Sequence, residues 1–346
     1  MVGPTPERGA EARAADTTAP AAGLSIVVPV FNEAAGLARL HDRLADCARA
    51  ITARRGLPCE IVYVDDGSTD ATHAVAAQLS ASGVDVQVVS LSRNFGKEAA
   101  LLAGLDHARF GAVLFIDGDG QHPPALIETL VGHWLDDGYD VVFAAKEHRA
   151  NEPISRRIGV KTFYALINWG ARQRIPEDAS DFRLLSPRAA AALRQMPERN
   201  RFFKGLASFI GFRQKRIDYT PDERAYGMTS WNTRALLGLS VEALTSFSVA
   251  PLRLASLLGL LLAFSAFVFG VWMLIEAFVN EHGVPGYPSL IVGLMVIGGV
   301  QLLMIGIMGE YLGKILSEIK ARPAYFVAEH SVRAATGAEQ SRTAAE

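Results

Sequence analysis

The sequence has few of the features that mark several common classes of protein. It contains two cysteines, Cys47 and Cys59, in 346 residues, and their spacing without further ligands does not suit a metal site. They are interpreted as reduced thiols of a cytosolic domain. The net charge is −2, so no overall positive field favours nucleic acid as a partner. The first twenty or so residues lack an apolar core and do not resemble a secretory signal peptide.

The first two thirds of the chain alternate short apolar runs with helical stretches. Buried strands are predicted at runs rich in β-branched residues, namely 24–30, 60–64, 84–91, 112–116 and 140–145. A helix at 154–170 and a short strand at 182–185 complete the pattern. The alternation predicts an α/β fold built on a parallel sheet.

Two carboxylate clusters follow two of the predicted strands. Asp65 and Asp66 end one strand, and Asp117 and Asp119 follow another. Ligands of open α/β sheets bind at the carboxyl ends of the strands. Carboxylate oxygens suit Mg²⁺ or Mn²⁺, which usually also contact substrate phosphates. Asp117 and Asp119 are therefore predicted metal ligands, although an isolated Asp-x-Asp is more often a solvated turn.

The segment that begins at Asp65 also suits an ordinary helix start. Ser68 or Thr69 would cap the helix, and Asp70 in the first turn would interact favourably with the helix dipole. The two interpretations are compatible. We expect a capped helix whose preceding carboxylates face a ligand.

The last third of the chain contains two long uncharged runs. Residues 254–275 and 288–309 each comprise 22 residues without Asp, Glu, Lys or Arg, which is enough to cross a bilayer. They predict a membrane hairpin at 250–313, with helices at about 252–276 and 288–311. A buried hairpin of a soluble protein is the alternative, and the length of the runs argues against it.

The charges beside these runs predict the orientation of the hairpin. Arg253 precedes the first run, residues 276–287 contain no Lys or Arg, and the basic residues Lys314, Lys320 and Arg322 follow the second run. The positive-inside rule then places both termini and the preceding domain in the cytoplasm. The predicted location is the inner membrane, with membrane lipids as partners.

The remaining segments complete the predicted division of the chain. Residues 1–22 are rich in Ala, Pro, Thr and charge and are predicted to be a disordered tail. The α/β domain spans 23–200, helices at the membrane surface span 201–249, and a cytoplasmic tail spans 314–346. For both apolar stretches of the segment 201–249, which lie at 201–212 and 231–247, the alternative is core helices packed on the sheet. For the second stretch the membrane surface is favoured, because it leads through Pro251 into the first apolar run. The chain after about His330 is read as disordered.

Four motifs occur in one order and at familiar spacing. They are Val28-Pro-Val-Phe-Asn-Glu33, Val64-Asp-Asp-Gly-Ser-Thr-Asp70, Arg93-Asn-Phe-Gly-Lys97 and Asp117-Gly-Asp-Gly-Gln-His-Pro-Pro124. Together they resemble the inverting glycosyltransferases of family 2, whose fold is the Rossmann-like GT-A. The segments Asp181-Phe-Arg-Leu-Leu and Arg201-Phe-Phe-Lys-Gly, with the membrane hairpin, resemble the polyprenyl-phosphate branch. This branch includes bactoprenol glucosyltransferases, undecaprenyl-phosphate aminoarabinose transferases and dolichyl-phosphate mannose synthases.

The resemblance implies roles for residues at matching positions. The implied nucleotide-sugar ligands are Pro29, Asn32, Glu33, Asp65, Asp66, Lys97, Asp117 and Gln121. The implied cofactor is Mg²⁺ or Mn²⁺, held by Asp117 and Asp119. The implied catalytic residues are Asp119, Asp181 and Arg201. The residues implied to bind the lipid phosphate are Arg149, Arg201 and Arg224.

The sequence departs from the family pattern at several positions. An acidic residue is frequent where this chain has His122, and a bulky apolar residue is frequent at Gly120. The family segment Gly-x-Ser-Lys-Tyr appears here as Gly227-Met-Thr-Ser-Trp231, so Ser230 replaces a lysine expected to reach a phosphate. Ser230 cannot make the ionic contact to the acceptor phosphate or diphosphate that the lysine would make. Arg224 and Lys215 are candidates to supply that contact instead.

The resemblance implies inverting transfer of a sugar, expected to be a UDP-hexose such as UDP-glucose, to undecaprenyl or another polyprenyl phosphate. The product would serve cell-envelope glycan or lipopolysaccharide modification, with a flippase downstream and a homo-oligomeric enzyme. Two alternatives remain. A processive polysaccharide synthase usually has more membrane helices and a Gln-x-x-Arg-Trp segment. A catalytically silent membrane scaffold with a degenerate transferase domain draws its best support from Ser230.

Overall fold

The structure is a computed structural model that describes residues 21–80, 82–146, 179–196, 198, 203–220, 250–279 and 286–335. In these ranges the strands are β1 (Ala21–Val30), β2 (Cys59–Asp65), β3 (Asp85–Leu91), β4 (Phe110–Phe115), β5 (Val141–Lys146), β6 (Ala179–Leu185), β7 (Gln214–Tyr219) and β8 (Val327–Arg333). The helices are α1 (Ala34–Arg55), α2 (Thr72–Ala76), α3 (Lys97–His107), α4 (Leu126–Leu135), α5 (Pro187–Arg194), α6 (Phe203–Phe209), α7 (Ala250–Val279) and α8 (Tyr287–Ile319).

The strands form one mixed sheet in the order β7-β5-β6-β4-β1-β2-β3-β8. The central strands β4, β1, β2 and β3 are parallel, as the alternating pattern predicts. Strand β6 is antiparallel to both of its neighbours, and β8 is antiparallel to β3. The carboxyl ends of the four parallel strands therefore lie side by side, and we call this side of the sheet the carboxyl edge.

Both faces of the sheet are covered by helices, which explains why the central strands are almost wholly apolar. Side chains of β1 alternate between the two faces. Ile26 and Val28 pack in a core with α1, α2 and α4, whereas Val27 packs in a second core with α3, α5 and α6. The cores fix the position of each loop at the carboxyl edge, because every such loop joins a buried strand to a packed helix.

Both cysteines are free thiols in this domain. Burial raises the pKa of Cys59 to about 11 and, together with nearby negative charge, that of Cys47 to about 12. The thiolate is the reactive form of cysteine. Neither residue therefore has the character of a nucleophile or a metal ligand.

The sheet domain extends past the boundary predicted at residue 200. Helix α6 is a core helix rather than a surface one, since Phe203 and Leu206 are each 1% exposed. Strand β7 follows it and pairs with β5 in parallel. Phe203, Leu206 and Ala207 are buried, although Phe209 is exposed. Of the two interpretations of the beginning of this stretch, the core helix is therefore correct. The remainder of the predicted interface segment, 221–249, lies outside the described residues.

The chain after the second apolar helix returns to the sheet. Strand β8 pairs with β3 from Val86 opposite Arg333 to Leu91 opposite Val327. The Tyr325 hydroxyl donates to Asp106 Oδ2 at 2.9 Å, and Phe326 O accepts from the Ser92 amide at 2.9 Å. The prediction that the chain is disordered after about His330 is therefore wrong for the last residues of β8, up to Arg333. Most of their side chains are exposed, so the stabilising contacts come from backbone pairing, which leaves no apolar pattern in the sequence.

Helices α7 and α8 carry the two apolar runs predicted from the sequence. Within them, Leu254–Trp272 and Val296–Ile319 are long and apolar enough to cross a bilayer. Large side chains on both helices are exposed, including Phe267 at 69% and Leu302 at 72%. Exposed apolar surface on this scale is expected of helices that contact lipid. The two helices indicate association with a membrane.

Deleting residues 325–346 is expected to destabilise the sheet domain. The deletion removes β8 and exposes the edge of β3, with a predicted fall in Tm of roughly 5 °C in detergent. Deleting only residues 336–346 is the matched control, because it leaves β8 intact. Equal Tm values for the two truncated proteins in a thermal melt would show that β8 does not contribute to stability.

Candidate active site

The loops that leave β1 and β2 are joined by hydrogen bonds at the carboxyl edge. The Asn32 amide donates to Ser68 Oγ at 3.0 Å, and Asn32 Oδ1 accepts from the Thr69 amide at 2.9 Å. Asn32 has φ of 55°, a left-handed conformation that asparagine tolerates better than most residues. Glu33 follows Asn32 directly, and Pro29 lies in β1 opposite Val64, next to Asp65. The predicted nucleotide-sugar ligands of the first motif therefore lie beside those of the second.

The helix that follows β2, α2, has Ala71 at its N-cap position and therefore no side-chain cap. Asp70 Oδ1 accepts from the Thr72 amide at 2.9 Å, just before α2. Ser68 and Thr69 were predicted to cap this helix, but their side chains bond to the Asn32 loop instead. The prediction of a cap by Ser68 or Thr69 is therefore wrong, because the neighbouring loop offers these hydroxyls a partner that the local sequence does not show.

Asp65 and Asp66 are both buried, and they have different partners. Asp65 Oδ1 accepts from the Ser68 amide at 3.0 Å. Asp66 accepts from the amides of Phe95 at 2.8 Å and Gly96 at 2.9 Å, and burial raises its pKa in spite of these hydrogen bonds. Asp66 thus fixes the loop before α3, whereas Asp65 lies at the end of β2 where a ligand would bind.

Lys97 connects two acidic residues that are distant in sequence. It is the first residue of α3, and its ammonium lies 2.6 Å from Asp117 Oδ1 and 2.6 Å from Asp181 Oδ2. Burial alone would lower the pKa of Lys97, but the charges of Asp181 and Asp117 outweigh it and raise the pKa. Three predicted site residues are thereby in direct contact at the carboxyl edge.

Asp117 has a second partner that the motif did not reveal. His122 Nε2 lies 3.3 Å from Asp117 Oδ2, and His122 Nδ1 lies 2.7 Å from the Tyr219 hydroxyl. A ring that donates from Nε2 and accepts at Nδ1 satisfies both contacts. Burial alone would raise the pKa of Asp117, but Lys97 and His122 outweigh it and hold the pKa below its usual value.

His122 and Tyr219 are the site residues that sequence reasoning missed. His122 is 3% exposed and packs between the rings of Phe182 and Tyr219. Its departure from the acidic residue of the family pattern was the available signal. Tyr219 gave no signal, because β7 reaches the site only through its pairing with β5.

The turn from Asp117 to Gln121 has the compact geometry of a ligand-binding loop. Gly118 has no space for a side chain, since an added Cβ would lie 2.9 Å from Pro29 O. Gly120 has φ of +69°, a left-handed conformation that glycine adopts without steric cost. Asp119 Oδ1 accepts from the Gln121 amide at 3.0 Å. The predicted residues Asp119 and Gln121 therefore lie on one tight turn next to β1.

The fit of these residues to a divalent cation follows from their donor atoms. Asp117 Oδ1 is buried, and apart from the Lys97 ammonium at 2.6 Å it has no hydrogen-bond partner in the part of the chain that the structure describes. Within the same residues no group of three or more His, Cys, Asp or Glu side chains is placed to hold a metal. Two carboxylates suit an ion that completes its coordination with water and substrate phosphates, as Mg²⁺ does. The predicted basic ligands Arg149, Arg201 and Arg224, together with Ser230, lie outside the described residues.

Comparison with known proteins agrees with this architecture. Residues 25–188 match the family described as glycosyl transferase family 2. The chain is 40% identical over 304 residues to the SfII prophage-derived bactoprenol glucosyl transferase of Shigella flexneri, a match that covers 88% of this chain and 97% of that protein. It is 38% identical over 306 residues to an uncharacterised glycosyltransferase of Synechocystis, covering 88% and 95%.

Solved structures show a more distant similarity. Glucosyl-3-phosphoglycerate synthase from Mycobacterium tuberculosis, in complex with Mn²⁺, UDP and glucosyl-3-phosphoglycerate, is 20% identical with a TM-score of 0.43. The match covers 65% of this chain and 78% of that one. Similarity at this level supports no inference about ligands.

The sheet, with its carboxylate turn beside the first strand, defines a glycosyltransferase domain of the GT-A type. The chain belongs to glycosyl transferase family 2. The resemblance drawn from the four motifs is confirmed, and so is its direction towards the bactoprenol glucosyltransferases. The predicted fold class, a GT-A domain followed by two apolar helices, is confirmed as well.

Replacing Asp66 with alanine is expected to loosen the loop that carries Lys97. Asp66→Ala leaves the Phe95 and Gly96 amides without their acceptor, at a cost of about 1–3 kcal/mol in the free energy of unfolding. Denaturant unfolding measures this loss, and proteolysis should become faster within 93–97. The control is Asp137→Ala, which removes an exposed carboxylate from the end of α4. A stability of Asp66→Ala equal to that of the control would contradict the assigned role.

Proposed function

We propose that the protein transfers a hexose from a UDP-sugar, such as UDP-glucose, to undecaprenyl or another polyprenyl phosphate. The observation that carries this proposal is the 40% identity, over 88% of the chain, to a protein named as a bactoprenol glucosyl transferase. The two apolar helices that follow the transferase domain support it, since a lipid-linked acceptor must be reached from the membrane surface. The product would supply cell-envelope glycans or lipopolysaccharide.

The proposed donor site occupies the carboxyl edge. Asp65, with the Asn32 loop and its neighbours Pro29 and Glu33, is positioned to line the base and ribose. Asp66 orders the loop before α3 through two backbone amides. The Asp117–Gln121 turn is positioned for the diphosphate, and Asp117 and Asp119 would hold Mg²⁺ or Mn²⁺. The bound cation would offset the negative charge that develops on the leaving nucleoside diphosphate.

The chemistry places modest demands on proton transfer. The second pKa of a phosphate monoester is about 6, so much of the lipid phosphate is already dianionic at neutral pH. One of its oxygens attacks the anomeric carbon as the bond to the diphosphate breaks, and the configuration inverts. The enzyme must align two anions that repel each other. The basic residues Arg149, Arg201 and Arg224 are proposed to contact the lipid phosphate.

The proposed topology follows from the charges around the apolar helices. Arg253 lies in the first turn of α7, Lys314 lies near the end of α8 and Lys320 just beyond it. With these charges, the positive-inside rule puts the proposed transferase domain at the cytoplasmic face of the inner membrane. Residues 221–249 are proposed to lie at the membrane surface. The proposal includes a separate flippase, because two membrane helices do not provide a path for a sugar across the membrane. It also includes a homo-oligomeric enzyme.

A transfer assay tests the proposed function directly. Detergent-solubilised protein is incubated with undecaprenyl phosphate, Mg²⁺ or Mn²⁺ and a panel of radiolabelled UDP- and GDP-sugars, and label is counted in the organic extract. We expect metal-dependent label from one donor. Asp119→Ala should reduce turnover ~100-fold or more, whereas Asp46→Ala, an exposed ion-pair residue on α1, should not.

Each other outcome of this assay points to a specific alternative. No transfer from any donor, with folded wild-type protein as inactive as Asp119→Ala, would contradict the proposal and favour a silent scaffold. Several sugars added to one lipid would favour a processive synthase.

Asp181 is proposed to position the acceptor and Lys97 rather than to act as a general base. Since the phosphate nucleophile needs little deprotonation, Asp181→Asn should retain turnover within about 10-fold of wild type, with the larger effect on KM for undecaprenyl phosphate. The pH dependence of kcat should keep its shape. Complete loss of turnover with unchanged substrate binding would instead identify Asp181 as the base.

A further inference from the structure

The ammonium of Lys97 contacts Asp117, one of the two residues proposed to hold the cation. One oxygen of each carboxylate lies 2.6 Å from Nζ, so both contacts are direct and charge-assisted. On Asp117 the ammonium faces Oδ1, and His122 Nε2 faces Oδ2. Each oxygen of Asp117 therefore already has a positive or hydrogen-donating neighbour from the protein.

The two neighbours of Asp117 differ in their freedom to move. His122 is 3% exposed, packs against the Phe182 and Tyr219 rings and is hydrogen-bonded at its second nitrogen. The Lys97 side chain is 44% exposed and ends a flexible four-carbon stem. Because the ring is held and the stem is not, Lys97 is the group that can leave Asp117.

We propose that Lys97 is a built-in counter-ion that holds Asp117 until the metal and the nucleotide-sugar bind together. A second cation beside an ammonium on the same carboxylate is opposed by charge repulsion, so binding of free metal should be weak. When the donor arrives, its diphosphate offers the ammonium a new anion, and Asp181 keeps it near the reaction centre. This inference rests on the proposed metal site at Asp117 and Asp119.

The position of Lys97 also links the donor and acceptor sides of the site. The two ion pairs of Lys97 join Asp117, at the carboxyl end of β4, to Asp181 on β6. If Lys97 released Asp117, its remaining ion pair would be the one with Asp181. The donor diphosphate would draw the Lys97 ammonium away from Asp117, and the metal would replace the ammonium there. Metal and donor should therefore each increase the other's affinity, because coupling between two binding events is reciprocal.

Mn²⁺ binding to the detergent-solubilised full-length protein tests this role without relying on turnover. Electron paramagnetic resonance measures free Mn²⁺ with and without UDP for wild type and for Lys97→Met. We expect Lys97→Met to bind Mn²⁺ without UDP ~10-fold more tightly than wild type, and UDP to improve that affinity less than it does in wild type. Lys97→Arg, which keeps the charge, should resemble wild type.

Two further variants keep the result interpretable. Arg54→Met removes an ion pair of similar length, 2.7 Å to Glu128, at the carboxyl-terminal end of α1, and should leave Mn²⁺ affinity unchanged. Lys97→Gln, which removes the charge but keeps a hydrogen-bond donor, replaces Lys97→Met if the latter does not fold.

The outcomes separate this inference from the proposed function. Mn²⁺ affinity that is unchanged or weaker in the uncharged variants, with normal UDP-dependent Mn²⁺ binding in wild type, overturns the role of Lys97 and leaves the metal site standing. No Mn²⁺ binding to wild type, even with UDP, overturns both the metal site and the inference.

Discussion

The parallel pairing of β1 with both β2 and β4 is the constraint on which the site depends. Register places Val27 opposite Val62 on one side and Phe115 on the other, so the three strands end at nearly the same level. Their loops must then share one small region of surface. The hydrogen bonds between Asn32 and the Ser68–Thr69 turn, and the contact of Gly118 with Pro29, follow from that proximity.

Charge balance at this edge is the second organising factor. Burying several carboxylates together is costly unless each has a hydrogen-bond donor or a counter-charge. Asp66 is satisfied by backbone amides, and Asp117 by Lys97 and His122. The domain is thus folded with its acidic site already neutralised in part, and a ligand that binds there must exchange with groups of the protein itself.

Strand β8 and the residues just before it connect the end of α8 to the candidate active site. Strand β8 begins eight residues after α8 ends, and the Phe326 ring lies 6.2 Å from that of Phe95. Phe95 donates to Asp66 and is two residues from Lys97. The segment that follows the apolar helices is therefore packed against the loop that carries Lys97. Strands of the same sheet thus precede the apolar helices in the chain, as β7, and follow them, as β8.

The sequence by itself determined the class of fold, the family and most of the acidic site. Strand-ending aspartates such as Asp65 and Asp117 can be read from local patterns, because apolar runs and carboxylate turns are short-range features. The apolar helices could also be predicted from the sequence, since a run of 22 uncharged residues is long enough to cross a bilayer. Tertiary structure decided the rest. Tyr219, the pairing of Lys97 with both Asp117 and Asp181, and strand β8 depend on contacts between segments up to 254 residues apart. Such contacts leave no periodic signal in the residues that make them.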